Sequence, residues 1–306
     1  MSKLNVAILG SGNIGTDLLF KTLHSPLLTC AYFIGRNLAS PGIMRASSMG
    51  IRVSDRSVEA ILQEPDCCDL IFDATSARDH RYHWSLLEPL GKRVIDLTPA
   101  KVGTLCIPAI NMRECLACAN VNMVSCGGQT SIPLAYVLGQ IHPVIDYIEV
   151  VSSIASRSAG LATRINLDEY IETTEDGLRH FSGCRHVKAI LNLNPAEPCI
   201  NMQTTISAKI ASPRLGELTA AVQAMVNTIQ SYVPGYELIV PPLIDMQRVV
   251  MMVRVRGRGD YLPAYAGNLD IINCAAIAMA EAYARESMAD LTTAERMSDV
   301  HATNPH

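Results

Sequence analysis

A glycine-rich turn near the start of the chain constrains the fold more than any other feature. The apolar run NVAIL at Asn5–Leu9 leads into GSGNIG at residues 10–15, and apolar residues then recur at helical spacing. This is the G-x-G-x-x-G spacing between a strand and a helix, the context in which such a turn binds the pyrophosphate of a dinucleotide. The first glycine allows the turn, the second lets the pyrophosphate approach the backbone, and the third lets the helix pack on the strand. The alternative is a glycine-rich turn without a ligand.

Alternating strand and helix patterns follow this turn. Apolar runs typical of buried parallel strands occur at Thr29–Ile34, Asp69–Ala74, Arg93–Leu97 and Val121–Ser125. Strands that alternate with helices form a parallel, doubly wound sheet with right-handed crossovers. We therefore predict the α/β class, with an N-terminal Rossmann-type domain.

The pattern changes after about residue 140. Runs rich in β-forming residues at Tyr147–Ile154, Met202–Ile210 and Val249–Arg256 predict a mostly antiparallel sheet. Helical runs at Asn166–Arg179 and Leu215–Tyr232 can cover one face of it. These features predict an α+β second domain.

A long alanine-rich helix at Asn268–Arg285 closes the fold. We expect residues 1–129 and 266–289 to form the dinucleotide-binding domain with its closing helix. Residues 130–265 then form an α+β catalytic and dimerisation domain. Residues 290–306 are polar and lack periodicity, which predicts a frayed tail.

A cysteine follows the last predicted strand of the first domain. Cys126 precedes two glycines that open a helical run at Thr130–Ile141. The positive end of a helix and its free N–H groups favour a thiolate and can stabilise an oxyanion. Cys126 is therefore a candidate nucleophile, and a small buried structural cysteine is an equally open alternative. An activated thiol beside a nicotinamide cofactor would indicate oxidation of an aldehyde through a thioester.

Composition and charge argue against several kinds of partner. The chain has 306 residues and a net charge of −4, which gives no reason to expect a nucleic acid. We expect no membrane-spanning helix, because no apolar run is long enough, and no signal peptide precedes the first strand. We therefore expect a cytoplasmic protein with reduced cysteines. The C-x-x-C pair of Cys115 and Cys118 lacks a second pair at zinc-site spacing, so we expect no metal.

Longer motifs resemble those of a known family. In chain order they are GSGNIG at residues 10–15, DATSA at 73–77, IDLTPA at 95–100, NVNMVSCGGQTSIP at 120–133, NPAEP at 194–198, YVPGY at 232–236 and YLPAYAGNLDI at 261–271. They resemble the CoA-acylating acetaldehyde dehydrogenases of aromatic meta-cleavage pathways, to about Arg285. The resemblance implies a semialdehyde-dehydrogenase-like fold and a defined reaction. A short-chain aldehyde (acetaldehyde or propanal), CoA and NAD(P)⁺ would give acyl-CoA and reduced cofactor.

The resemblance also implies site residues. The nucleophile of the family falls on Cys126, which would carry the thioester. The implied cofactor contacts are Ser11, Gly12, Asn13, Ile14, Ser158, Ala159, Gly160, Leu161, Ala162, Thr163, Arg164, Ile165, Asn166 and Asn268. Asn268 can orient the nicotinamide amide or the oxyanion, or can be a helix N-cap. Gln129 either lies near the thiol or, as we favour, completes the first helical turn.

The resemblance further implies assembly. Members of the family usually work with a 4-hydroxy-2-oxoacid aldolase (of the 4-hydroxy-2-oxovalerate type), so we expect that partner and a homodimer or heterotetramer. Two other functions stay open. One is a phosphate-dependent semialdehyde or acyl-phosphate reductase, which differs in its acyl acceptor. The other is a catalytically weak, nucleotide-binding subunit that serves an aldolase.

The chain departs from the family in its second domain. Residues 202–205 read MQTT, where the family commonly carries an acidic residue in a form like MRDT. General acid–base assistance must then come from elsewhere or be weaker. The stretch between Tyr236 and Tyr261 is shorter than usual, which puts the second sheet and a partner surface in doubt. Leu161 and Ala162 replace a Pro-Gly pair.

A further departure concerns the choice of cofactor. After the second strand, Arg36 precedes Asn37, where the family often has an aspartate. An acidic residue here binds the ribose hydroxyls of NAD, whereas a nearby arginine accommodates the 2′-phosphate of NADP. We therefore expect NAD as cofactor, with NADP accepted at least as well as in relatives. A solvated Arg36 is the alternative.

Overall fold

Two β-sheets organise the chain. The computed structural model describes residues 3–302, and their side chains except those of residues 161–162 and 290–302. The strands are β1 (Leu4–Leu9), β2 (Leu28–Ile34), β3 (Val53–Ser54), β4 (Leu70–Asp73), β5 (Arg93–Asp96), β6 (Thr104–Leu105), β7 (Asn120–Asn122), β8 (Tyr147–Ala155), β9 (Val187–Asn194), β10 (Met202–Lys209), β11 (Tyr236–Asp245) and β12 (Arg248–Val255). The helices are α1 (Asn13–His24), α2 (Pro41–Ser48), α3 (Glu59–Gln63), α4 (Ala77–Leu87), α5 (Pro108–Cys115), α6 (Cys126–Ile141), α7 (Leu161–Ile165), α8 (Leu167–Ser182), α9 (Leu215–Gln230) and α10 (Gly267–Ala302).

The first sheet is parallel, as the apolar runs predicted. Its seven strands have the order β3-β2-β1-β4-β5-β7-β6, and each neighbouring pair is parallel. The order reverses between β1 and β4, because β2 lies on one side of β1 and β4 on the other. In a doubly wound sheet, ligands bind outside the carboxyl ends of the strands at such a reversal. The Rossmann-type prediction is therefore confirmed.

The second sheet is mixed and mostly antiparallel. Its five strands have the order β11-β12-β10-β8-β9, and β8 with β9 is the parallel pair. Buried residues of β8, β10 and β12 share an apolar core with α6, α8 and α9, so these helices cover one face. The short stretch after Tyr236 still forms two paired strands. Met246 and Gln247 close their hairpin with φ angles of 42° and 66°, as a tight two-residue turn requires.

The last helix returns to the first sheet. In α10, Ile272, Ala275, Met279 and Tyr283 are buried in the core that contains β1, β4 and β5. The helix runs on to Ala302, so the prediction of a frayed tail is wrong for residues 290–302. Residues 290–302 contain no glycine or proline, the residues that most disfavour a helix, so the helix can continue without apolar periodicity. Residues 303–306 lie outside the described part, and the predicted boundaries at residues 129/130 and 265/266 stay predictions.

Among the helices of residues 3–302, none is both long and apolar enough to cross a membrane.

Candidate active site

The glycine turn lies at the carboxyl end of β1. Gly10 has a φ of 111°, and a Cβ there would lie 2.5 Å from the Ala74 carbonyl oxygen. A Cβ on Gly15 would lie 1.8 Å from the Gly10 carbonyl oxygen, whereas one on Gly12 would meet no atom within 4 Å. The fold therefore requires the first and third glycines. The second glycine leaves open space in which a ligand can approach the backbone.

A cavity of about 580 Å³ opens over this turn. That volume falls in the usual range of ligand sites. The residues of the predicted cofactor set that line it are Ser11, Gly12, Asn13, Ile14, Gly160, Thr163, Ile165 and Asn166. Thr75, Ser76 and Asp79, which follow β4, line it as well. The structure thus brings the glycine turn of the first domain and the loop after β8 to one cavity.

Other residues of the predicted set hold that loop instead of lining the large cavity. The Ser158 hydroxyl donates to a backbone carbonyl at 2.8 Å, and Ala159 is buried. The Arg164 guanidinium donates to the Ala159 carbonyl at 3.0 Å. These contacts fix the loop without facing a ligand. Leu161 and Ala162 lie in α7.

Arg36 lies at the lining of the large cavity, with its side chain 80% exposed. Its Nη1 is 3.6 Å from the Asp79 carboxylate. The Asn37 side-chain oxygen accepts the N–H of Ala39 at 2.9 Å, which stabilises the turn after β2. An exposed guanidinium here can reach a phosphate, although Asp79 competes for it.

A smaller cavity of about 70 Å³ adjoins the large one. Ile14, Thr75, Thr163 and Asn166 line both cavities. Cys126 lines the smaller one and begins α6. The nucleophile candidate and the predicted cofactor turn therefore open onto one continuous space.

Several contacts hold Cys126 at the start of its helix. The Ser125 hydroxyl caps α6 by accepting the Gly128 N–H at 2.8 Å, and it bonds the Thr174 hydroxyl at 2.6 Å. The Cys126 S–H donates to the Tyr170 hydroxyl oxygen across 3.9 Å. Sequence reasoning missed Tyr170, because nothing local connects α8 to this turn.

Two opposing effects act on the ionisation of Cys126. Burial raises the pKa of this thiol to about 11, against the opposing effect of Tyr170 and of the backbone N–H groups at the helix start. The N–H groups at the helix start lower the pKa, as predicted, but the loss of water around sulfur outweighs them. Burial therefore favours the neutral thiol over the thiolate.

Asn268 faces the same small cavity. It lies within α10, which begins at Gly267, so the alternative role as helix N-cap is wrong. Within the described residues, its side-chain oxygen is buried without a hydrogen-bond partner, as is the hydroxyl of Thr98. Both residues line the cavity. Buried polar atoms normally have partners, so these two atoms are suited to receive a bound ligand.

A buried network that the sequence analysis did not anticipate supports both cavities. Asp73 accepts from the Thr75 backbone N–H at 3.1 Å, and its other oxygen lies 3.0 Å from His80 and 2.8 Å from His83. Asp96 accepts from the Thr98 backbone N–H at 2.7 Å. Hydrogen bonds from these two turns to buried aspartates therefore fix the backbone at Thr75 and Thr98.

Interactions within this network shift the pKa values of Asp73, Asp96 and His80. Burial opposes ionisation of Asp73, but hydrogen bonds from His80 and His83 hold its pKa well below the usual range. Burial raises the pKa of Asp96 to about 7, despite the favourable field of His80. The pKa of His80 is raised because both carboxylates outweigh its burial. Asp73 and Asp96 thus favour the protonated form of His80.

Gln129 and Thr204 form hydrogen bonds within the protein. The Gln129 amide donates to the Cys106 and Met123 carbonyls at 2.8 and 2.9 Å, so it completes the turn, as we favoured. In the strand that lacks a carboxylate, the Thr204 hydroxyl pairs with the Ser152 hydroxyl at 2.9 Å.

The fold and the site together define a class: two-domain dehydrogenases with a Rossmann-type nucleotide domain and a cysteine at the helix start between the domains. The family model described as prokaryotic acetaldehyde dehydrogenase, dimerisation, matches residues 126–263. The acetaldehyde dehydrogenase of Pectobacterium atrosepticum is 60% identical over 281 residues, covering 91% of this chain and 95% of the relative. That of Spirochaeta aurantia is 58% identical over 282 residues, covering 92% and 95%. The chain belongs to the acetaldehyde dehydrogenase family, as the resemblance predicted.

Solved structures confirm the predicted fold. Aspartate semialdehyde dehydrogenase with NADP from Candida albicans superposes with a TM-score of 0.61 at 12% identity, over 91% of this chain and 99% of that chain. Aspartate semialdehyde dehydrogenase II complexed with ASA from Vibrio cholerae gives 0.60 at 13% identity, over 93% and 99%. At this identity the likeness concerns the fold alone.

Proposed function

We propose that this protein oxidises a short-chain aldehyde with NAD(P)⁺ and passes the acyl group to CoA. The observation that carries the proposal is the position of Cys126. Its sulfur opens into a small cavity that adjoins the larger cavity over the glycine turn. Family membership supports aldehyde oxidation, and the narrowness of the smaller cavity supports a substrate of few carbons.

The residues of the large cavity fit a nicotinamide dinucleotide. The free space above Gly12 suits a pyrophosphate on the N-terminus of α1. The unpartnered oxygen of Asn268, in the cavity that Cys126 also lines, suits the amide of a nicotinamide ring. When bound, the cofactor supplies the acceptor for a hydride. Ser11, Asn13, Thr163 and Asn166 would hold it from both domains.

Cys126 carries the covalent chemistry in this proposal. Its thiol gives up a proton to solvent water, and the sulfur bonds to the aldehyde carbon while the carbonyl π electrons move to oxygen, which forms the thiohemiacetal anion. Backbone N–H groups at the start of α6 and the Asn268 amide are placed to stabilise the oxyanion. Loss of hydride from that carbon leaves a thioester on Cys126. The CoA sulfur then attacks the thioester carbon, and Cys126 leaves as a thiolate.

The test is formation of reduced cofactor, followed by absorbance, with acetaldehyde or propanal and NAD⁺ or NADP⁺. Separate reactions contain CoA, inorganic phosphate or neither. We expect reduction that depends on CoA, complete loss in Cys126→Ala, and normal activity in Cys199→Ala, which changes a half-buried cysteine elsewhere. Cofactor reduction that depends on phosphate would identify phosphate, instead of CoA, as the acyl acceptor. Retained activity in Cys126→Ala would refute the nucleophile, and no reduction despite nucleotide binding would favour a subunit that serves another enzyme.

We further propose that NADP⁺ is accepted beside NAD⁺, because Arg36 is exposed at the cavity and no carboxylate replaces Asn37. Arg36→Ala should raise the KM for NADP⁺ by about tenfold and leave that for NAD⁺ within about twofold, as for a lost charged contact. Arg157→Ala, which removes an arginine paired with Glu197, is the control. Equal effects on both cofactors would refute the role of Arg36.

We also propose a homodimer through the uncovered face of the second sheet. Thr205 lies between Val151 and Met252 on neighbouring strands, and these three side chains are only half-buried. The matched family model is one of dimerisation. Met252→Glu should therefore sediment as a monomer where the unaltered protein sediments as a dimer. A 4-hydroxy-2-oxoacid aldolase partner, and a heterotetramer with it, stay predictions, which co-purification of the two chains would test.

A further inference from the structure

Tyr170 is the one titratable residue, besides Cys126, among the described residues that line the small cavity. Its ring is 6% exposed, and its hydroxyl lies 3.9 Å from the Cys126 sulfur. A Cβ on Gly127 would lie 2.1 Å from this hydroxyl, so the tyrosine oxygen sits directly against the start of α6. The glycine after the cysteine therefore makes room for the tyrosine.

The hydroxyl of Tyr170 belongs to a buried group of three. The Ser152 hydroxyl on β8 lies on the same side of Gly127, since a Cβ on that glycine would lie 3.3 Å from it. The Ser152 hydroxyl in turn bonds that of Thr204 on β10 at 2.9 Å. Ser152 and Thr204 are 2% and 0% exposed. Three buried hydroxyls from three elements thus lie near one sulfur atom, and no described residue that lines the cavity carries a carboxylate or an imidazole.

A hydroxyl can serve sulfur as an acceptor or as a donor. In the thiol form, the Cys126 S–H donates to the tyrosine oxygen. After the thiol loses its proton, the tyrosine O–H can turn toward the sulfur and donate to it. Burial raises the pKa of Tyr170 well above its usual value, so Tyr170 keeps its proton and serves as a donor instead of a base.

We propose that Tyr170 is a catalytic residue that donates a hydrogen bond to the Cys126 thiolate, and that Ser152 and Thr204 orient its hydroxyl. This proposal rests on the proposed function, in which Cys126 is the nucleophile. The same donor acts twice. It stabilises the thiolate that attacks the aldehyde, and it stabilises the thiolate that leaves when CoA takes the acyl group.

Alkylation of Cys126 tests the hydrogen bond without requiring turnover. Wild-type protein and Tyr170→Phe are treated with iodoacetamide over a range of pH, and the rate at Cys126 is read from its peptide by mass spectrometry. Phenylalanine keeps the ring and removes the donor. A hydrogen bond to a charged group changes an equilibrium by a factor of roughly 10 to 100. We therefore expect Cys126 to be alkylated more slowly by that factor in Tyr170→Phe at neutral pH. The pH midpoint of the reaction should rise by about one unit or more.

Two controls separate this effect from general loosening. Cys199 in the same samples is half-buried and should react at an unchanged rate. Tyr283→Phe removes another buried hydroxyl, one that donates to the Cys115 and Cys118 carbonyls, and should leave Cys126 unaffected. Ser152→Ala and Thr204→Val should shift the Cys126 midpoint in the same direction as Tyr170→Phe, by less.

An unchanged rate and midpoint in folded Tyr170→Phe would overturn the proposal, and so would an equal change in Tyr283→Phe. If Tyr170→Phe does not fold, Ser152→Ala decides the matter: a raised midpoint supports the donor role and an unchanged one overturns it. These results stand apart from the proposed function. A protein in which Tyr170 controls Cys126 alkylation, but which reduces no cofactor with CoA, refutes the reaction and keeps the hydrogen bond.

Discussion

A buried lysine joins the two ends of the chain, and its removal should be costly. Lys21 of α1 is 4% exposed in its side chain and lies 3.3 Å from Asp17, 2.9 Å from Asp260 and 2.7 Å from Asp270. Asp270 is in the first turn of α10, two residues after Asn268. Lys21 therefore holds the element that brings Asn268 to Cys126.

The expected effect of Lys21→Met follows from the charges left behind. Methionine retains most of the apolar stem, but the three carboxylates lose their cation. Removing one partner of a buried ion pair typically costs about 3–5 kcal/mol. That lowers the folding equilibrium constant by roughly two to almost four orders of magnitude. For a chain of this size it lowers the melting temperature by about 5–8 °C.

The pH dependence distinguishes charge from packing. Burial already raises the pKa of Asp17, whereas at Asp260 the hydrogen bond and charge of Lys21 help to lower the pKa against burial. Loss of the lysine should raise the pKa of both carboxylates. A group with a raised native pKa stabilises the fold at low pH and loses that contribution as pH rises. The deficit of Lys21→Met should therefore be small near about pH 4 and full at neutral pH.

Urea unfolding at matched protein concentrations measures this difference at each pH. Lys188→Met, which breaks an exposed pair with Glu175, is the control and should change stability by at most about 1 kcal/mol. Adding Asp270→Asn to Lys21→Met should recover part of the loss. A deficit below about 1 kcal/mol, or one that does not vary with pH, would refute the assignment to buried charge.

Other perturbations test the site and its support. Gly12→Ala should leave the unfolding midpoint unchanged, because its Cβ enters open space, yet weaken nucleotide binding at least tenfold in a calorimetric titration; equal affinity would show that the cofactor does not approach Gly12. Gly15→Ala should instead lower stability, because its Cβ would meet the Gly10 carbonyl, and an unchanged melting temperature would contradict this. Because burial raises the native pKa of Asp96 to about 7 from a usual 3.8, its contribution to stability is present at low pH and is lost as pH rises to about 7. Urea unfolding should show that decline in the unaltered protein and a smaller one in Asp96→Asn, whereas identical slopes would exclude Asp96 as its source.

Local constraints explain which parts of the fold could be predicted from the sequence. The glycine turn is specified by residues that touch one another along the chain, such as Gly10 and Gly15. Continuous apolar runs predict the buried parallel strands. The full length of α10 was missed, since its last turns lack the apolar periodicity on which the prediction depended.

The candidate site was predictable only in part, because several of its properties arise from distant contacts. Cys126 could be found from the turn in which it lies, but Tyr170 comes from another element and meets it only in the folded chain. The burial that opposes ionisation of Cys126 could not be predicted, for the same reason. A helix start can be read from sequence, whereas the depth of burial that opposes it depends on packing from both domains.

The return of α10 to the first sheet has a consequence for biosynthesis. The first sheet is synthesised early, but Ile272, Ala275 and Met279 of α10, which cover its apolar face, are synthesised near the end of translation. Until then that face is exposed to solvent. The core under the second sheet depends less on the last helix, which gives it the buried residues Ile271 and Cys274. We therefore expect the later-made domain to gain protection from proteolysis on stalled chains before the earlier-made one does. Vectorial synthesis and the order of folding would then run in opposite directions.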